Sequence, residues 1–175
     1  MKFRVIICCV LVSFLLVETG AQDQAELNRL GDKINHHLAI RMPGWEHKQG
    51  EPIKGSKGVL VEFWSTKNRT VKISIVPLKS EQEARQKLQN IANETKEAKQ
   101  VKDLGDEAYS WGFENSNIVL RRGRAIVFLS TFADVDSDSD SRTLSHSERR
   151  ARQYSEMKRL SREFAMHMVS AIDLP

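Results

Sequence analysis

The residues able to act as nucleophiles or general bases do not form a pattern typical of catalysis. Cys8 and Cys9 lie in an apolar N-terminal run, and the sequence has no Gly-x-Ser-x-Gly motif, which would expose a nucleophilic serine on a strained turn. Ser145 and Ser147 flank His146, but serines at this place are explained as caps at the start of a helix. The sequence therefore predicts a protein that is not an enzyme.

The histidines and the acidic run do not match a metal-binding motif. No pair has the His-Glu-x-x-His spacing that lets two helical imidazoles hold one zinc ion. His36 and His37 are adjacent on a predicted helix, so their side chains diverge by about 100°. In the run that begins at Asp134, Ser139 and Ser145 stand where an EF-hand calcium loop needs Gly and Glu. We therefore predict no metal and no cofactor.

The first 21 residues have the three parts of a secretory signal peptide. Lys2 and Arg4 supply positive charge, residues 5–17 form an uncharged apolar run, and Ala21 is a small residue before the cleavage point. As a helix that run spans about 20 Å, short of the roughly 30 Å hydrocarbon core of a bilayer. We therefore expect cleavage after Ala21, no transmembrane anchor afterwards, and a secreted or periplasmic protein.

The domain that follows the leader, residues 22–175, contains no cysteine, because Cys8 and Cys9 both belong to the leader. A domain that enters a disulfide-permissive compartment without thiols has to be stabilised by its core, and a chain of this length can bury one. The net charge of the whole chain is only +4. A dedicated nucleic-acid-binding domain usually carries a more strongly basic face.

Hydrophobic periodicity predicts a single α+β domain. Leu27, Leu30, Ile34 and Leu38 share one helical stripe, and residues 71–75 alternate as in a half-buried strand. The predicted elements, in chain order, are a helix at 22–41, a loop at 44–58, strands at 59–64 and 70–77, a helix from Ser80, strands at 106–113, 117–121 and 124–132, and a helix from Ser145. The order α-β-β-α-β-β-β-α predicts an antiparallel-rich sheet with helices packed on it, and a flexible acidic loop at 134–142.

A family resemblance rests on three segments of the second half of the chain. These are Gly105-Asp106-Glu107-Ala108-Tyr109 before a strand, the hairpin from Asn117 to Arg124, and Phe164-Ala165 with Ala171-Ile172 in the last helix. Together with the order of elements, they are similar to the Mog1/PsbP-like α/β/α sandwich over roughly residues 59–174. The resemblance implies a binding or accessory protein without shared catalytic residues.

The candidate contact residues are one tryptophan and one basic cluster. Trp45 lies in the polar stretch 44–58, where an exposed tryptophan would be suited to a contact with a partner. Arg121, Arg122 and Arg124 surround a predicted hairpin turn, where they form either a plain charged surface or a surface that binds a polyanion such as a glycan, a phospholipid headgroup or a nucleic acid. The aromatic residues at 109, 111 and 113 alternate along a strand and could form either core or the wall of a ligand pocket.

Two N-glycosylation sequons are present, at Asn68 and Asn93. Asn68 falls in the predicted turn between two strands, and Asn93 faces away from the apolar stripe of its helix. Both are expected to be accessible to a glycan if the source is eukaryotic.

The leading hypothesis is a non-catalytic secreted or periplasmic binding or accessory domain, whose partner is another exported protein or a polyanionic surface. The first alternative is a carrier that holds a small apolar molecule between sheet and helices. The second is an enzyme of unrecognised type. A filled sheet–helix interface favours surface recognition, whereas an apolar cavity of several hundred Å³ favours a carrier.

Overall fold

The computed structural model describes residues 21–51, 58–135 and 143–173. The predicted leader and most of the predicted acidic loop at 134–142 lie outside these residues, so neither prediction is tested by the fold. Within the described ranges, no helix combines the length and apolarity that crossing a bilayer requires.

The described residues form three helices and one seven-stranded antiparallel sheet, which confirms the predicted α+β class. The helices are α1 (Ala21–Arg41), α2 (Glu81–Glu94) and α3 (His146–Asp173), and the strands are β1 (Glu46–Gln49), β2 (Leu60–Ser65), β3 (Arg69–Pro77), β4 (Lys99–Val101), β5 (Glu107–Trp111), β6 (Asn117–Arg122) and β7 (Ala125–Ala133). The strand order across the sheet is β1-β2-β3-β7-β6-β5-β4. Helices α1 and α3 pack on one side of the sheet and α2 on the other, which makes three layers.

Capping contacts explain where α2 and α3 begin. The Ser80 hydroxyl accepts a hydrogen bond from the Glu83 N–H at 3.2 Å, as the predicted cap requires. The Glu83 carboxylate accepts from the Lys79 N–H rather than from Ser80. At α3 the exchange is reciprocal, because the Ser145 N–H donates to the Glu148 carboxylate at 2.8 Å and the Glu148 N–H donates to the Ser145 hydroxyl. The predicted helix starts are confirmed.

Two apolar cores lie on the two sides of the sheet. The larger core joins α1 and α3 to the sheet, and Ile34, Leu38, Phe164 and Met168 in it are fully buried. The smaller core lies beneath α2, whose Ala84 and Leu88 are its fully buried helical side chains. Because α2 has only 14 residues and α3 has 28, the two sides of the sheet are not covered equally.

Three sequence predictions need correction. The stretch 44–58 is not only a loop, because the strand β1 (Glu46–Gln49) lies in it. All four residues of β1 are exposed, so the sequence has no apolar alternation there that would predict a strand. The short β4 was missed for the same reason. Phe113 does not continue β5: it begins a 3-10 turn after Gly112 and is 70% exposed. Its ring stacks on that of Tyr154, with the centroids 5.2 Å apart.

The hairpin between β6 and β7 closes with a two-residue loop. Arg122 pairs with Ala125, so Gly123 and Arg124 form a two-residue loop. Gly123 has φ +56°, a left-handed conformation that glycine adopts without steric cost. The predicted hairpin is confirmed, with its turn displaced by one residue.

Candidate functional site: the open face of the sheet

The two sides of the sheet differ sharply in burial, and β3 shows the difference along a single strand. Val71, Ile73 and Ile75 point toward α1 and α3, and each is 0% exposed. The intervening Lys72 and Ser74 point to the α2 side and remain half-exposed. Buried apolar strand residues on the α2 side lie toward one end of the sheet, beneath the helix; they are Val61, Val76, Val119 and Ile126. Beyond α2, no helix of the described residues covers this side of the sheet, and we call this part of the sheet open.

One row of paired residues crosses the open part of the sheet. The strand register aligns Lys48 with Phe63, Phe63 with Lys72, Lys72 with Ser130, Ser130 with Asn117, and Asn117 with Trp111. We call these six residues the open row. All six are exposed or half-exposed. At about 4.8 Å between neighbouring strands, the row is about 24 Å long.

Further aromatic and hydroxyl groups flank the open row. Thr70 pairs with Phe132 on the next row outward, and the Phe132 side chain is 55% exposed. On the inner side, Tyr109 and Phe128 are partly buried against the core beneath α2. The open part of the sheet therefore presents accessible aromatic side chains beside hydroxyl groups.

The charge of the open row is positive. Its two ionisable residues are Lys48 and Lys72, and its other members are aromatic or neutral polar residues. The Lys72 ammonium lies 6.0 Å from the centre of the Phe63 ring, within the range of a cation–π contact. Glu46 is at the outer edge of the neighbouring row. The row therefore favours an anionic partner over a cationic one.

The arginine cluster predicted to bind polyanions is instead paired with carboxylates. The buried Arg121 guanidinium donates to Asp106 at 2.7 Å, and Arg122 donates to Asp106 and, through two nitrogens, to Asp173. Arg124 pairs with Glu26. An external anion at this hairpin has to displace a carboxylate that belongs to the fold. A contact of a polyanion with Arg121 is therefore disfavoured, because that side chain is buried, and a contact with Arg122 or Arg124 stays a prediction.

Asp106 is the centre of this ion-pair network. Burial opposes its ionisation, but the Gly123 N–H and the guanidinium groups of Arg122 and Arg121 outweigh that effect, so its pKa lies below the usual value. The Arg121 guanidinium also donates to the Gly123 carbonyl at 3.0 Å. The network fixes the β6–β7 hairpin to the chain that enters β5.

Trp45 does not have the surroundings that made it a candidate contact residue. Its ring meets Phe164 edge-on, with the centroids 4.9 Å apart, and it packs partly buried against the larger core. The expectation of an exposed tryptophan at this position is therefore wrong, because the Trp45 ring packs against Phe164 of α3. Whether Trp45 contacts a partner stays a prediction.

A histidine–carboxylate pair holds the edge strand β1 to the sheet. The Glu62 side chain is 2% exposed and lies 2.5 Å from the His47 imidazole. The amide of Asn35 donates to the same carboxylate at 3.3 Å. A carboxylate can orient a histidine as a general base, but within the described residues no serine, threonine or cysteine is hydrogen-bonded to His47. The described residues also contain no cluster of three or more possible metal ligands.

A groove of about 360 Å³ lies at one end of the molecule. Its apolar lining includes Leu27, Leu30 and Ile172, and its charged lining includes Glu26 and Arg124. The volume is within the range of small-molecule sites. The predicted carrier function requires an apolar cavity of this size, and this groove has the volume but a partly charged lining.

The two sequons occupy different surroundings. Asn93 and Glu94 are exposed on α2, and the Thr95 hydroxyl donates to the Ile91 carbonyl. Asn68 is half-buried in the β2–β3 turn, where its side-chain oxygen accepts from Arg69 and its carbonyl accepts from the Asp134 N–H. Asn93 is therefore the more accessible of the two in the folded protein.

Sequence reasoning missed most of the open row. Trp111 was noted as part of an alternating stripe, but Phe63, Lys72, Ser130 and Asn117 come from four other strands. Alternation within a strand indicates which residues share a face, and only the pairing of the strands shows which of them are neighbours. One weaker signal was present in the sequence. A sheet with helices on both sides should have two apolar faces, but several strands carry polar or aromatic residues on the second face.

Comparison with protein-family models, with curated proteins and with solved structures found no match to this chain. The class that the structure itself defines is a three-layer α+β domain with one incompletely covered sheet face. The resemblance to the Mog1/PsbP-like sandwich stays a prediction.

Proposed function

We propose that this protein is an exported, non-catalytic binding protein that recognises an extended, negatively charged partner on the open row. The observation that supports the proposal is the unequal covering of the sheet. On one strand, Ile73 is fully buried while the adjacent Lys72 and Ser74 are half-exposed. The length of the row and its two lysines fit a linear anionic chain better than a compact ligand.

The surface is suited to recognition because it is pre-formed. Every residue of the open row lies on a strand whose neighbours are fixed by backbone hydrogen bonds. A partner therefore does not have to order the backbone that it contacts, and less binding free energy is lost on association. The β6–β7 hairpin is a weaker candidate for binding an anion, because its arginines already form ion pairs with Asp106, Asp173 and Glu26.

Nuclear magnetic resonance titration of the exported protein tests where anions bind. The probes are heparin, polyglutamate and single-stranded oligodeoxynucleotides, added to the ¹⁵N-labelled protein. We expect the amide chemical shifts of Phe63, Lys72 and Ser130 to change most when a probe binds. If the largest changes occur at Arg122 and Arg124, or if none of the probes perturbs the open row, the proposed function is wrong.

Export makes a separate prediction about the N-terminus. N-terminal sequencing of the protein recovered from the secreted or periplasmic fraction should begin at Gln22, because the leader is expected to be cleaved after Ala21. Recovery of a chain that still carries residues 1–21, with the protein remaining in the cytoplasm, would contradict the exported part of the proposal.

The groove supports a second candidate function, a carrier of a small apolar molecule. Its aliphatic side chains Leu27, Leu30 and Ile172 would contact the ligand. Its rim is charged, and the described sheet–helix interfaces are otherwise filled by buried side chains, so we rank it below the open row. Organic extraction of the purified protein followed by mass spectrometry distinguishes the two, because a carrier should release a stoichiometric apolar compound.

A further inference from the structure

The side chains of the open row indicate which kind of anionic chain it fits. We infer that the open row binds an acidic polysaccharide, with sugar rings packed on its aromatic residues and acidic groups paired with its lysines. This inference rests on the proposed function and adds the chemical class of the partner.

The aromatic residues give the row two places where a sugar ring can pack. Phe63 on β2 and Trp111 on β5 are four strand steps apart, about 19 Å. Phe132 lies outside the row, one strand from Thr70, and is 55% exposed. A pyranose has an apolar face of C–H groups, and covering that face with an aromatic ring removes apolar surface from water.

The residues between the aromatic rings match the other groups of an acidic sugar. Ser130 and Asn117 are paired neighbours in the middle of the row, where a hydroxyl and an amide can exchange hydrogen bonds with sugar hydroxyls. Lys72 lies beside Ser130 across the β3–β7 pair, and Lys48 lies at the end of the row. An ammonium group in each place can pair with a carboxylate or sulfate of the chain.

An acidic peptide fits this surface less well. An extended peptide satisfies its backbone by adding to a sheet edge, where unpaired N–H and C=O groups are available. The open row crosses the face of the sheet, and the strands that carry it are already paired with one another, apart from the outer edge of β1. A peptide on the face would have only side chains to satisfy its backbone groups.

Nucleic acid and a membrane surface also fit less well. A nucleic acid carries a phosphate on every nucleotide, whereas two lysines lie along the whole open row. A bilayer surface is entered by side chains that project from the protein, but Phe63 and Trp111 are half-buried against their neighbours. A polysaccharide with acidic groups on some of its sugars needs neither dense positive charge nor projecting rings.

Isothermal titration calorimetry tests the inference with defined oligosaccharides. The probes are hyaluronan and unsulfated chondroitin oligosaccharides, which carry a carboxylate on every second sugar, with a dextran oligosaccharide as the neutral control, at low and at physiological salt. We expect binding to at least one acidic oligosaccharide, weaker at higher salt, and none to dextran. The Trp111→Ala variant should weaken that binding about tenfold, because it removes one packing surface.

A second variant keeps the test informative if Trp111→Ala folds poorly. Ser130→Glu introduces a carboxylate at an exposed hydroxyl in the middle of the row, and we expect it to weaken binding about tenfold by repulsion. Its matched control is Asn90→Glu, which places the same charge on an exposed position of α2 and should bind like the unmodified protein.

The outcomes separate this inference from the proposed function. If neither acidic oligosaccharide binds at low salt, if dextran binds equally, or if Ser130→Glu binds like Asn90→Glu, the polysaccharide inference is wrong. If polyglutamate or an oligodeoxynucleotide perturbs the open row and binds more tightly than either oligosaccharide, the inference fails while the proposed recognition surface stands.

Discussion

Replacement of Arg121 by Met is expected to lower the free energy of unfolding by about 2–3 kcal/mol, because a buried guanidinium and its charge-assisted hydrogen bonds to Asp106 and Gly123 are lost. The Arg121 side chain is 5% exposed and lies 2.7 Å from Asp106. Its loss also leaves the Gly123 carbonyl without a hydrogen bond that the guanidinium now donates. Asp106 keeps its contacts with Arg122 and the Gly123 N–H, which limits the loss.

Arg124→Met is the matched control for this prediction. The two arginines are three residues apart in the same hairpin, but the Arg124 side chain is 43% exposed and its ion-pair partner Glu26 is 62% exposed. Surface ion pairs of this kind contribute about 0–1 kcal/mol. Urea denaturation of both variants measures the difference. Equal stabilities would show that Arg121 is not the structural residue that we describe.

The different stabilities expected for Arg121→Met and Arg124→Met also bear on how binding to the arginines of the β6–β7 hairpin should be tested. A loss of heparin retention in an Arg121 variant has two explanations, a lost contact and a destabilised hairpin. The Arg124 variant separates them, since it removes a positive charge without disturbing the buried network around Asp106. We expect Arg124→Met to reduce retention less than Ser130→Glu in the open row does.

Phe164→Ala is expected to have the largest effect of a single substitution, a loss of about 3–5 kcal/mol. Phe164 is fully buried in α3, and its ring contacts Trp45 at 4.9 Å and Trp64 at 6.5 Å between centroids. Truncation leaves a cavity between α3 and β2 that two rigid indole rings cannot readily fill. For a domain of ordinary stability, such a loss removes a large part of the free energy of unfolding.

Phe113→Ala provides the control for the same chemical change at the surface. The Phe113 ring is 70% exposed and touches Tyr154 on one side, so we expect a loss below about 1 kcal/mol. Thermal and urea denaturation of the two variants give the comparison. A Phe164→Ala protein as stable as Phe113→Ala would contradict the placement of the aromatic cluster in the core.

The open row and the aromatic core show why strand residues of similar type have different roles. Trp64 is 1% exposed and faces α3, whereas the adjacent Phe63 points to the other side and is half-exposed in the open row. The alternation of a β-strand places neighbouring aromatic residues on opposite sides of the sheet. Function is expected on the side that the short α2 leaves uncovered.

The amino-acid sequence by itself determined the local structure. The periodicity of Leu27, Ile34 and Leu38 predicted α1, and the Ser80 and Ser145 caps predicted where α2 and α3 begin. The Gly123 turn predicted the β6–β7 hairpin. These features are encoded within a few residues of each other, in backbone conformation and side-chain spacing, so the helices and the longer strands could be predicted without the fold, whereas the exposed β1 and β4 could not.

Only the tertiary structure decided which side chains are available to a partner. Arg121 and Arg124 are alike in sequence, but folding brings Asp106 to one and Glu26 to the other, and only Arg121 is buried. The same holds for Lys72 and Ser130, which become neighbours in the open row only because β3 pairs with the distant strand β7. Exposure and pairing depend on contacts between residues far apart in the chain, and short-range sequence patterns do not contain that information.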